Sequence, residues 1–425
     1  MSNKKPISIL GAGLVGSLFS LFLAKRGEKV QIFEKRSDPR KNDGNKGRSI
    51  NLALSHRGLK ALRAVGLEEK VMQLAIPMKG RMIHSEKGET HLQPYSRDEK
   101  CIYSVSRFEL NKLLIETADK HHQINYQFNK KCLGIDEEEI TFFDTKKQEI
   151  EKQKTDLVIG GDGANSIVRR RVNQLVKADF KETFLSHGYK ELTIPAGKNG
   201  TWRLEKEALH IWPRQQFMLI ALPNLDGSFT CTLFLAYKGQ KSFDQLKTKE
   251  QVDHFFEKEF PDVKQLIPTL AEEFFQNPTS FLSTVKTAPW HYKEKYLLMG
   301  DAAHAIVPFY GQGMNAAFED CLVMNELLDN CGDNWKEAMQ AFSETRKKDG
   351  DAIAELALAN FIEMRDKVID PLFLKKKALI HELSEKEPEK WQPLYEMVTF
   401  SDLSYSEALQ KGRDQDTELD KLIKT

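Results

Sequence analysis

The sequence predicts an α/β protein with three parts: a Rossmann-like dinucleotide-binding domain, an inserted antiparallel β-sheet domain and a C-terminal helical cap. Three observations lead to this prediction. A glycine-rich turn joins an apolar strand to a helical pattern within residues 7–25. Two later apolar strands, at 156–161 and 296–300, each end in glycine followed by aspartate. The helical period weakens from about 180 to 287 and returns after 335, so strands and helices alternate only at the two ends of the chain.

At 425 residues the chain is long enough for two or three domains. The dinucleotide-binding domain is expected to be discontinuous, because its motifs lie on both sides of the inserted sheet. The predicted ranges are 1–70, 101–177 and 286–345 for this domain, 71–100 and 178–285 for the substrate-domain β-sheet, and 346–425 for the C-terminal helical region. The polar residues from 411 onward are expected to be solvated.

Composition excludes several classes of function. The 63 Lys and Arg residues nearly balance the 62 Asp and Glu residues, so no strong field favours nucleic acid or an anionic membrane. The five cysteines are scattered and form no C-x-x-C motif, which argues against disulfides and a zinc site. No apolar run reaches the roughly 18 residues of a membrane span, and no signal peptide precedes the first strand. We therefore expect a cytoplasmic protein with no metal, no nucleic-acid partner and no membrane anchor.

The first motif is a dinucleotide fingerprint in its required context. The strand at 7–10 runs directly into G-x-G-x-x-G, in which Gly11 forms the tight turn, Gly13 admits the pyrophosphate and Gly16 permits close helix packing. Glu34 follows the next strand, where an acid can accept hydrogen bonds from the adenosine ribose. A glycine-rich turn in an unliganded domain is the simpler alternative, but it leaves Glu34 unexplained.

Two later motifs are expected to complete the same site. Asp162 and Asp301 each follow the end of a buried strand, where ligands bind in α/β proteins. Beyond Asp301, Gly311 and Gly313 predict an irregular loop before a helix that begins near Met314. The first turn of such a helix presents free N–H groups and the positive end of the helix dipole. This arrangement suits a phosphate or the N1–C2=O edge of a reduced flavin.

The three motifs in this order resemble the FAD-dependent aromatic hydroxylases, in which FAD rather than NAD occupies the fold. Longer stretches resemble, more narrowly, the branch of that family that hydroxylates L-kynurenine; they lie at 47–58, 187–194, 209–213, 220–224, 229–234, 300–320 and 397–401. The resemblance extends from Ile7 to about Ala408. Mitochondrial members of the branch continue into a C-terminal membrane anchor, which this sequence does not show, so the bacterial, soluble type is expected.

The resemblance implies the site residues. Non-covalent FAD would be held by Gly11, Gly13, Val15, Gly16, Glu34, Arg36, Ala53, Arg107, Asp162, Asp301, Met314 and Asn315. The substrate would be held by Arg81, Tyr95, Asn360 and Tyr395. The loop near the reactive flavin ring would be Pro308, Phe309, Tyr310, Gly311, Gln312 and Gly313. Relatives carry His or Phe where this chain has Tyr310, which leaves the role of this residue open.

The resemblance also implies the reaction: NADPH- and O₂-dependent hydroxylation of L-kynurenine to 3-hydroxykynurenine, through a C4a-hydroperoxyflavin, in tryptophan degradation. The ring amine of the substrate activates its own ortho carbon, so no dedicated catalytic acid or base is expected. His304 is accordingly expected to be structural. No second glycine motif marks an NADPH site, so the nicotinamide is expected to visit a shared surface. The oligomeric state stays open, a homodimer included.

Other functions stay open on the sequence alone. A related flavin hydroxylase could act on another aromatic acid, and a non-catalytic flavin protein could serve as a redox sensor. The proposed substrate residues would be superfluous in a sensor, which disfavours that alternative. A flavin-dependent halogenase is disfavoured because the sequence contains no Trp-x-Trp-x-Ile-Pro motif.

Overall fold

The computed structural model describes residues 5–41, 51–96, 98–364 and 371–424. Residues 47–50, which begin one of the resembling stretches, lie outside these ranges. The strands are β1 Ile7–Leu10, β2 Val30–Phe33, β3 Asn51–Leu54, β4 Ala75–Met78, β5 Gly80–His84, β6 Thr90–Pro94, β7 Ile102–Ser106, β8 Ile124–Gln127, β9 Lys130–Ile135, β10 Glu139–Asp144, β11 Glu149–Lys154, β12 Val158–Gly160, β13 Asp179–Ile194, β14 Ala208–Arg214, β15 Phe217–Pro223, β16 Phe229–Ala236, β17 Ser280–Ala288, β18 His291–Tyr292 and β19 Tyr296–Leu298. The α-helices are α1 Leu14–Lys25, α2 His56–Ala64, α3 Glu68–Met72, α4 Arg107–Ala118, α5 Ile167–Val176, α6 Lys249–Glu259, α7 Pro261–Leu266, α8 Leu270–Gln276, α9 Asp301–His304, α10 Gly313–Asn330, α11 Trp335–Ile362, α12 Pro371–Lys386, α13 Leu394–Phe400 and α14 Tyr405–Lys424.

A six-stranded sheet carries the three nucleotide motifs. Its strand order is β18-β19-β12-β1-β2-β8, and every neighbouring pair is parallel except β18–β19. The central strand β1 is buried along its whole length, as expected for a strand covered on both faces. Parallel strands end at the same edge of a sheet. The carboxyl ends of β1, β12 and β19 therefore bring the three motifs together.

A seven-stranded sheet forms the second layer. Its order is β17-β13-β16-β15-β14-β5-β6, antiparallel except for the β14–β5 pair. Alternate residues of β15 serve its two faces: Phe217 and Leu219 pack under α6–α8 with Phe256, whereas Met218 packs on the other side with Phe309 and α11. Because both faces are covered, β15 is an apolar run rather than an alternating one.

Helices α11 to α14 form the C-terminal part, and two small antiparallel sheets, β11-β10-β9 and β3-β7-β4, complete the fold. The fold class predicted from the sequence is confirmed, while the domain boundaries stay predictions. The residues from 411 onward continue α14 and bury Gln415 and Leu419, so the expectation of a fully solvated tail is wrong on that face. Across the described ranges, no helix combines the length and the apolar character that a bilayer crossing requires.

A buried charge network joins α10 to its neighbours. Asp320 accepts hydrogen bonds from the Gly300 backbone N–H (3.0 Å) and from Arg346 Nε (2.9 Å), and it lies 2.6 Å from His304 Nε2. Arg346 also pairs with Glu319 at 2.8 Å. Burial alone would raise the pKa of Asp320, but His304 and Arg346 outweigh burial and lower it. His304 is thus committed to Asp320, which fits the structural role expected for it.

We expect Asp320→Asn to lower the free energy of unfolding by about 3–5 kcal/mol, because buried His304 would lose its carboxylate and Arg346 would lose one of its carboxylate partners. Asp329→Asn on the same helix is the matched control. The Asp329 side chain is 61% exposed in its pair with Arg26, so its loss should cost less than about 1 kcal/mol. Denaturant unfolding at pH 7 measures both variants.

The pH dependence of this difference gives a second check. The pKa of Asp320 is lowered by folding, so its contribution is present at neutral pH and is lost as the pH falls below about 4. Equal losses in the two variants, or an Asp320→Asn effect that is undiminished in acid, would contradict the assignment.

Candidate active site

A cavity of about 470 Å³ lies between the two large sheets. One wall consists of residues at the ends of β1, β12 and β19, namely Gly13, Gly161 and Met299. The opposite wall is the inner face of the seven-stranded sheet, with Met218, Ile220, Leu222, Thr230, Thr232 and Phe234. The segment from Ile306 to Gly311 and the start of α10 close the third side.

The three fingerprint glycines are required for different reasons. Gly11 has a φ of +101°, and a Cβ added there would lie 2.4 Å from the Gly161 carbonyl oxygen. A Cβ at Gly16 would lie 2.0 Å from the Gly11 carbonyl oxygen. A Cβ at Gly13 would meet no protein atom within 4 Å, and Gly13 lines the cavity. Protein packing therefore explains Gly11 and Gly16, whereas the bare backbone at Gly13 faces space that a ligand can fill.

Polar groups flank this glycine turn. The Glu34 carboxylate at the end of β2 accepts hydrogen bonds from the backbone N–H groups of Ala12 and Arg36, each at 3.0 Å. The Arg36 side chain is exposed. Arg107 begins α4, is exposed and lines the cavity. A carboxylate thus contacts the fingerprint turn, and a guanidinium lines the cavity that Gly13 also lines.

The two motif aspartates differ in their surroundings. Asp301 is exposed, lines the cavity and has no side-chain hydrogen bond within the described ranges. Asp162 instead caps α5: its Oδ2 accepts hydrogen bonds from Ile167 N (2.7 Å) and Val168 N (3.4 Å). Burial raises the pKa of Asp162, and its Oδ1 is buried with no partner among the described residues. Asp301 is therefore the motif carboxylate that is free for a ligand.

Helix α10 starts at the cavity wall. Gly313 and Met314 line the cavity, and no side chain caps the first turn. Its first N–H groups, which have no partner within the helix, are therefore available to a ligand. The Asn315 amide is already engaged, because it accepts from Ser55 N (2.9 Å) and donates to the carbonyls of Ala53 (2.8 Å) and Gly311 (3.0 Å). Its side chain shapes the loop.

Three of the four expected substrate residues meet in one cluster. The Tyr95 and Tyr395 rings stack at 5.1 Å, and Tyr310 stacks on Tyr395 at 5.6 Å. The Arg81 guanidinium lies over both Tyr395 (4.6 Å) and Tyr95 (5.6 Å). The stacked rings of Tyr95, Tyr395 and Tyr310 form what we call the tyrosine column. Tyr310 is the residue whose role the sequence left open. Tyr310 and Tyr395 line the main cavity.

Arg81 lies between the main cavity and a second one of about 390 Å³, which it lines. Among the described residues, no carboxylate lies within ion-pair distance of Arg81. Glu363, which lines the same cavity and attracts the Arg81 charge, is paired with Lys377 at 2.7 Å. The Tyr95 hydroxyl is buried and makes no hydrogen bond of standard geometry there. Burial raises the pKa of Tyr95 well above its ordinary value, so this hydroxyl keeps its proton and can donate it.

Asn360, the fourth expected substrate residue, is placed differently. Its amide nitrogen donates to the Phe309 carbonyl oxygen at 2.7 Å, and it lines neither cavity. Phe309 packs between Phe361 (4.2 Å) and Phe234 (4.9 Å). Asn360 therefore holds the loop that the sequence placed beside the flavin ring. Its contact with substrate stays a prediction.

Some residues that shape the site carry no marker in the sequence. Asp320 lies within the resembling stretch 300–320, but its partner Arg346 lies outside every motif. The Tyr405 hydroxyl reaches Gln312 in the loop from the start of α14. These partners are far apart in the chain. An isolated acid, arginine or tyrosine belongs to no sequence pattern from which its contact could be predicted.

The chain resembles known proteins along its whole length. A family model described as an FAD binding domain matches residues 4–354. The kynurenine 3-monooxygenase of Christiangramia forsetii is 45% identical over 100% of this chain and 95% of its own. That of Dictyostelium discoideum is 46% identical over 99% and 93%. The chain belongs to the kynurenine 3-monooxygenase family.

Solved structures share the fold. The 2-methyl-3-hydroxypyridine-5-carboxylic acid oxygenase has a TM-score of 0.71 at 18% identity, covering 87% of this chain and 95% of that one. The p-nitrophenol 4-monooxygenase of Pseudomonas putida has a TM-score of 0.69 at 17% identity, covering 98% and 99%. As a member of the kynurenine 3-monooxygenase family, the protein is an FAD-dependent enzyme. This removes the alternative of a non-catalytic sensor.

The residues at the kynurenine 3-monooxygenase family's first motif fit FAD. The opening at Gly13 leaves room for a pyrophosphate at the N-terminus of α1. The free first turn of α10 and the unpaired Asp301 offer hydrogen bonds to the flavin and its ribityl hydroxyl groups.

We expect Gly13→Val to lose most of its FAD while the chain stays folded. The added side chain meets no protein atom within 4 Å of its Cβ, so it would fill the ligand's space rather than disturb packing. Gly134→Val in β9 is the matched control, since a Cβ there also meets nothing within 4 Å. The ratio of flavin to protein absorbance, with circular dichroism, reports both. Full FAD content in Gly13→Val would show that the nucleotide binds elsewhere.

Proposed function

We propose that this flavin monooxygenase hydroxylates L-kynurenine to 3-hydroxykynurenine, with NADPH and O₂ as co-substrates, as a step of tryptophan degradation. The observation that carries the proposal is Arg81. Its guanidinium packs on two tyrosine rings and has no carboxylate partner among the described residues. A cation withdrawn from water in this way gains from an anionic ligand. Kynurenine carries its carboxylate at the end remote from the ring carbon that is hydroxylated.

The tyrosine column supports the direction in which the substrate would lie. From Arg81, the stacked rings of Tyr395 and Tyr310 lead to the main cavity. The buried Tyr95 hydroxyl, which makes no hydrogen bond of standard geometry with the described residues, would donate to the same carboxylate that Arg81 binds. Aromatic rings along this path would pack against the substrate's own ring. The anchored carboxylate would therefore orient the aromatic end toward the flavin side.

Bound FAD would supply the reducing equivalents drawn from NADPH and the activation of O₂. The chain's part is then electrostatic and steric. The free first turn of α10 would stabilise negative charge at the flavin edge. The apolar wall with Met218, Ile220 and Phe234 would exclude water from the reacting atoms. No residue is assigned as a general base, because the substrate's ring amine supplies the electron density.

We expect Arg81→Ala to reduce kcat/KM for L-kynurenine about ten- to a hundred-fold, since a hydrogen bond to a charged group contributes roughly 1.5–3 kcal/mol. FAD content should be unchanged, because Arg81 lies beside the tyrosines and not at the fingerprint turn. Kynuramine, which lacks the carboxylate, should be a poor substrate for the wild type. Its turnover should be far less affected by the substitution. Steady-state kinetics of both proteins on both compounds provide the measurement.

The matched control is Arg203→Ala. Arg203 is an exposed arginine outside both cavities, and its loss should leave the kinetics unchanged. An equal loss on kynurenine and kynuramine in Arg81→Ala would refute the carboxylate assignment. Efficient turnover of simple hydroxybenzoates in place of kynurenine would identify a hydroxylase of another aromatic acid.

We expect NADPH oxidation to be slow alone and faster with L-kynurenine. Substrate lying against Tyr310 would bear on the loop that Asn360 holds at Phe309, and movement of this loop would gate the flavin. Absorbance of NADPH at saturating concentration, with and without substrate, measures the effect. Equal rates in the two conditions would remove the gating claim.

A further inference from the structure

Gln312 occupies the N-cap position of α10, yet its side chain does not cap the helix. Its amide oxygen accepts a hydrogen bond from the Tyr405 hydroxyl (3.0 Å), and its amide nitrogen donates to Ser55 Oγ (3.3 Å). Gln312 is only 2% exposed, so water cannot readily replace these partners. Because the Gln312 amide is bound to Tyr405 and Ser55, it does not turn back onto the helix, and the N–H groups of the first turn of α10 stay uncapped at the cavity wall.

Tyr405 is itself rigidly held. It is fully buried, and the Arg57 guanidinium lies 4.1 Å from its ring centre. Arg57 in turn donates to Glu319 on α10 (2.5 Å) and to the Leu403 carbonyl oxygen. The next residue, Ser406, donates through its backbone N–H (3.0 Å) and its hydroxyl (2.8 Å) to Asp349 on α11. The Tyr405 hydroxyl is therefore a fixed point for Gln312.

The C-terminal helices thus hold the loop at both ends. Asn360 on α11 holds the Phe309 carbonyl oxygen, and Tyr405 on α14 holds the Gln312 side chain. Between these points, Gly311 adopts a φ of +69°, a conformation that its neighbours must maintain. Tyr405 lines neither cavity. Its hydroxyl contacts Gln312, and through Gln312 it reaches the helix start at the cavity wall.

We propose that Tyr405 is a positioning residue for hydroxylation. Its hydroxyl, acting through Gln312, keeps the first turn of α10 open toward the flavin edge. The test of this inference by product formation rests on the proposed function, whereas its test by the reduction potential of bound FAD does not. Without the hydroxyl, the buried Gln312 amide oxygen has no partner among the described residues, and the helix start shifts to satisfy it. A smaller share of the O₂ consumed then ends as hydroxylated product, and a larger share ends as hydrogen peroxide.

NADPH oxidation has two possible outcomes, and their ratio distinguishes an open start of α10 from a shifted one. Productive turnover converts NADPH, H⁺, O₂ and substrate to NADP⁺, water and the hydroxylated product. Unproductive turnover converts NADPH, H⁺ and O₂ to NADP⁺ and hydrogen peroxide. A shifted α10 start should move flux from the first reaction to the second. It should also make the reduction potential of bound FAD more negative, because the first-turn N–H groups stabilise the reduced, anionic flavin.

Tyr405→Phe is the test variant, since it keeps the ring and removes only the hydroxyl. We expect product formed per NADPH to fall about two- to ten-fold, the effect of one hydrogen bond, with peroxide accounting for the rest. The FAD potential should become more negative and FAD content should stay unchanged. Tyr296→Phe is the matched control: Tyr296 is also buried, and its hydroxyl donates to the Asp136 carbonyl oxygen at 2.8 Å, away from the loop.

A double-mutant cycle with Gln312→Ala tests the route. Tyr405→Phe should add nothing in the Gln312→Ala background, because the hydroxyl acts only through that amide. Wild-type behaviour of Tyr405→Phe, equal changes in Tyr296→Phe, additivity in the cycle, or loss of FAD or folded protein in Tyr405→Phe would each overturn the inference. A wild type that binds FAD but does not hydroxylate kynurenine would refute the proposed function alone. The FAD potential and its double-mutant cycle would still decide the role of Tyr405.

Discussion

The Asp320 carboxylate on α10 joins two other segments of the chain: the stretch from Gly300 to His304, which follows β19 and forms α9, and α11 at Arg346. A carboxylate that is out of contact with water needs such partners, and each partner is fixed in turn by the element that carries it. The Gly300 N–H is therefore held where Asp301 meets the cavity. Since α10 carries the carboxylate, the start of this helix keeps a constant position relative to the end of β19. The cofactor side of the site depends on that relation.

The two sides of the cavity recognise ligands by different physical means. The cofactor side relies on backbone: the bare turn at Gly13 and the first N–H groups of α10. The substrate side relies on side chains, with Arg81 and the tyrosine column facing an apolar sheet. Every residue except proline carries the same backbone N–H and C=O groups, whereas side chains differ from residue to residue. Members of one fold can therefore share the flavin arrangement and differ in the aromatic compound they accept.

Features that are local in sequence could be predicted, and those that join distant segments could not. The fingerprint glycines and the Asp301 loop follow from spacing, because a turn or a helix start is decided by a few adjacent residues. The cluster of Arg81 with Tyr395 was reached only through family resemblance, since no pattern pairs positions so far apart. Resemblance predicts that Asn360 contacts the substrate, which stays a prediction; its hydrogen bond to the Phe309 carbonyl oxygen has no signal in the sequence. The Tyr405 contact with Gln312 was not foreseen at all, as buried polar pairing depends on tertiary packing.

The fingerprint turn is held in shape by the protein's own hydrogen bonds. Gly11 N–H donates to the Phe33 carbonyl oxygen (2.8 Å), Gly161 N–H to that of Leu10 (3.0 Å), and Ser17 N–H to that of Gly13 (3.0 Å). These hydrogen bonds make the shape of the turn part of the fold, so a ligand that binds there orders little additional backbone. The conformational cost of binding a dinucleotide at this turn is therefore mainly the ordering of the ligand itself.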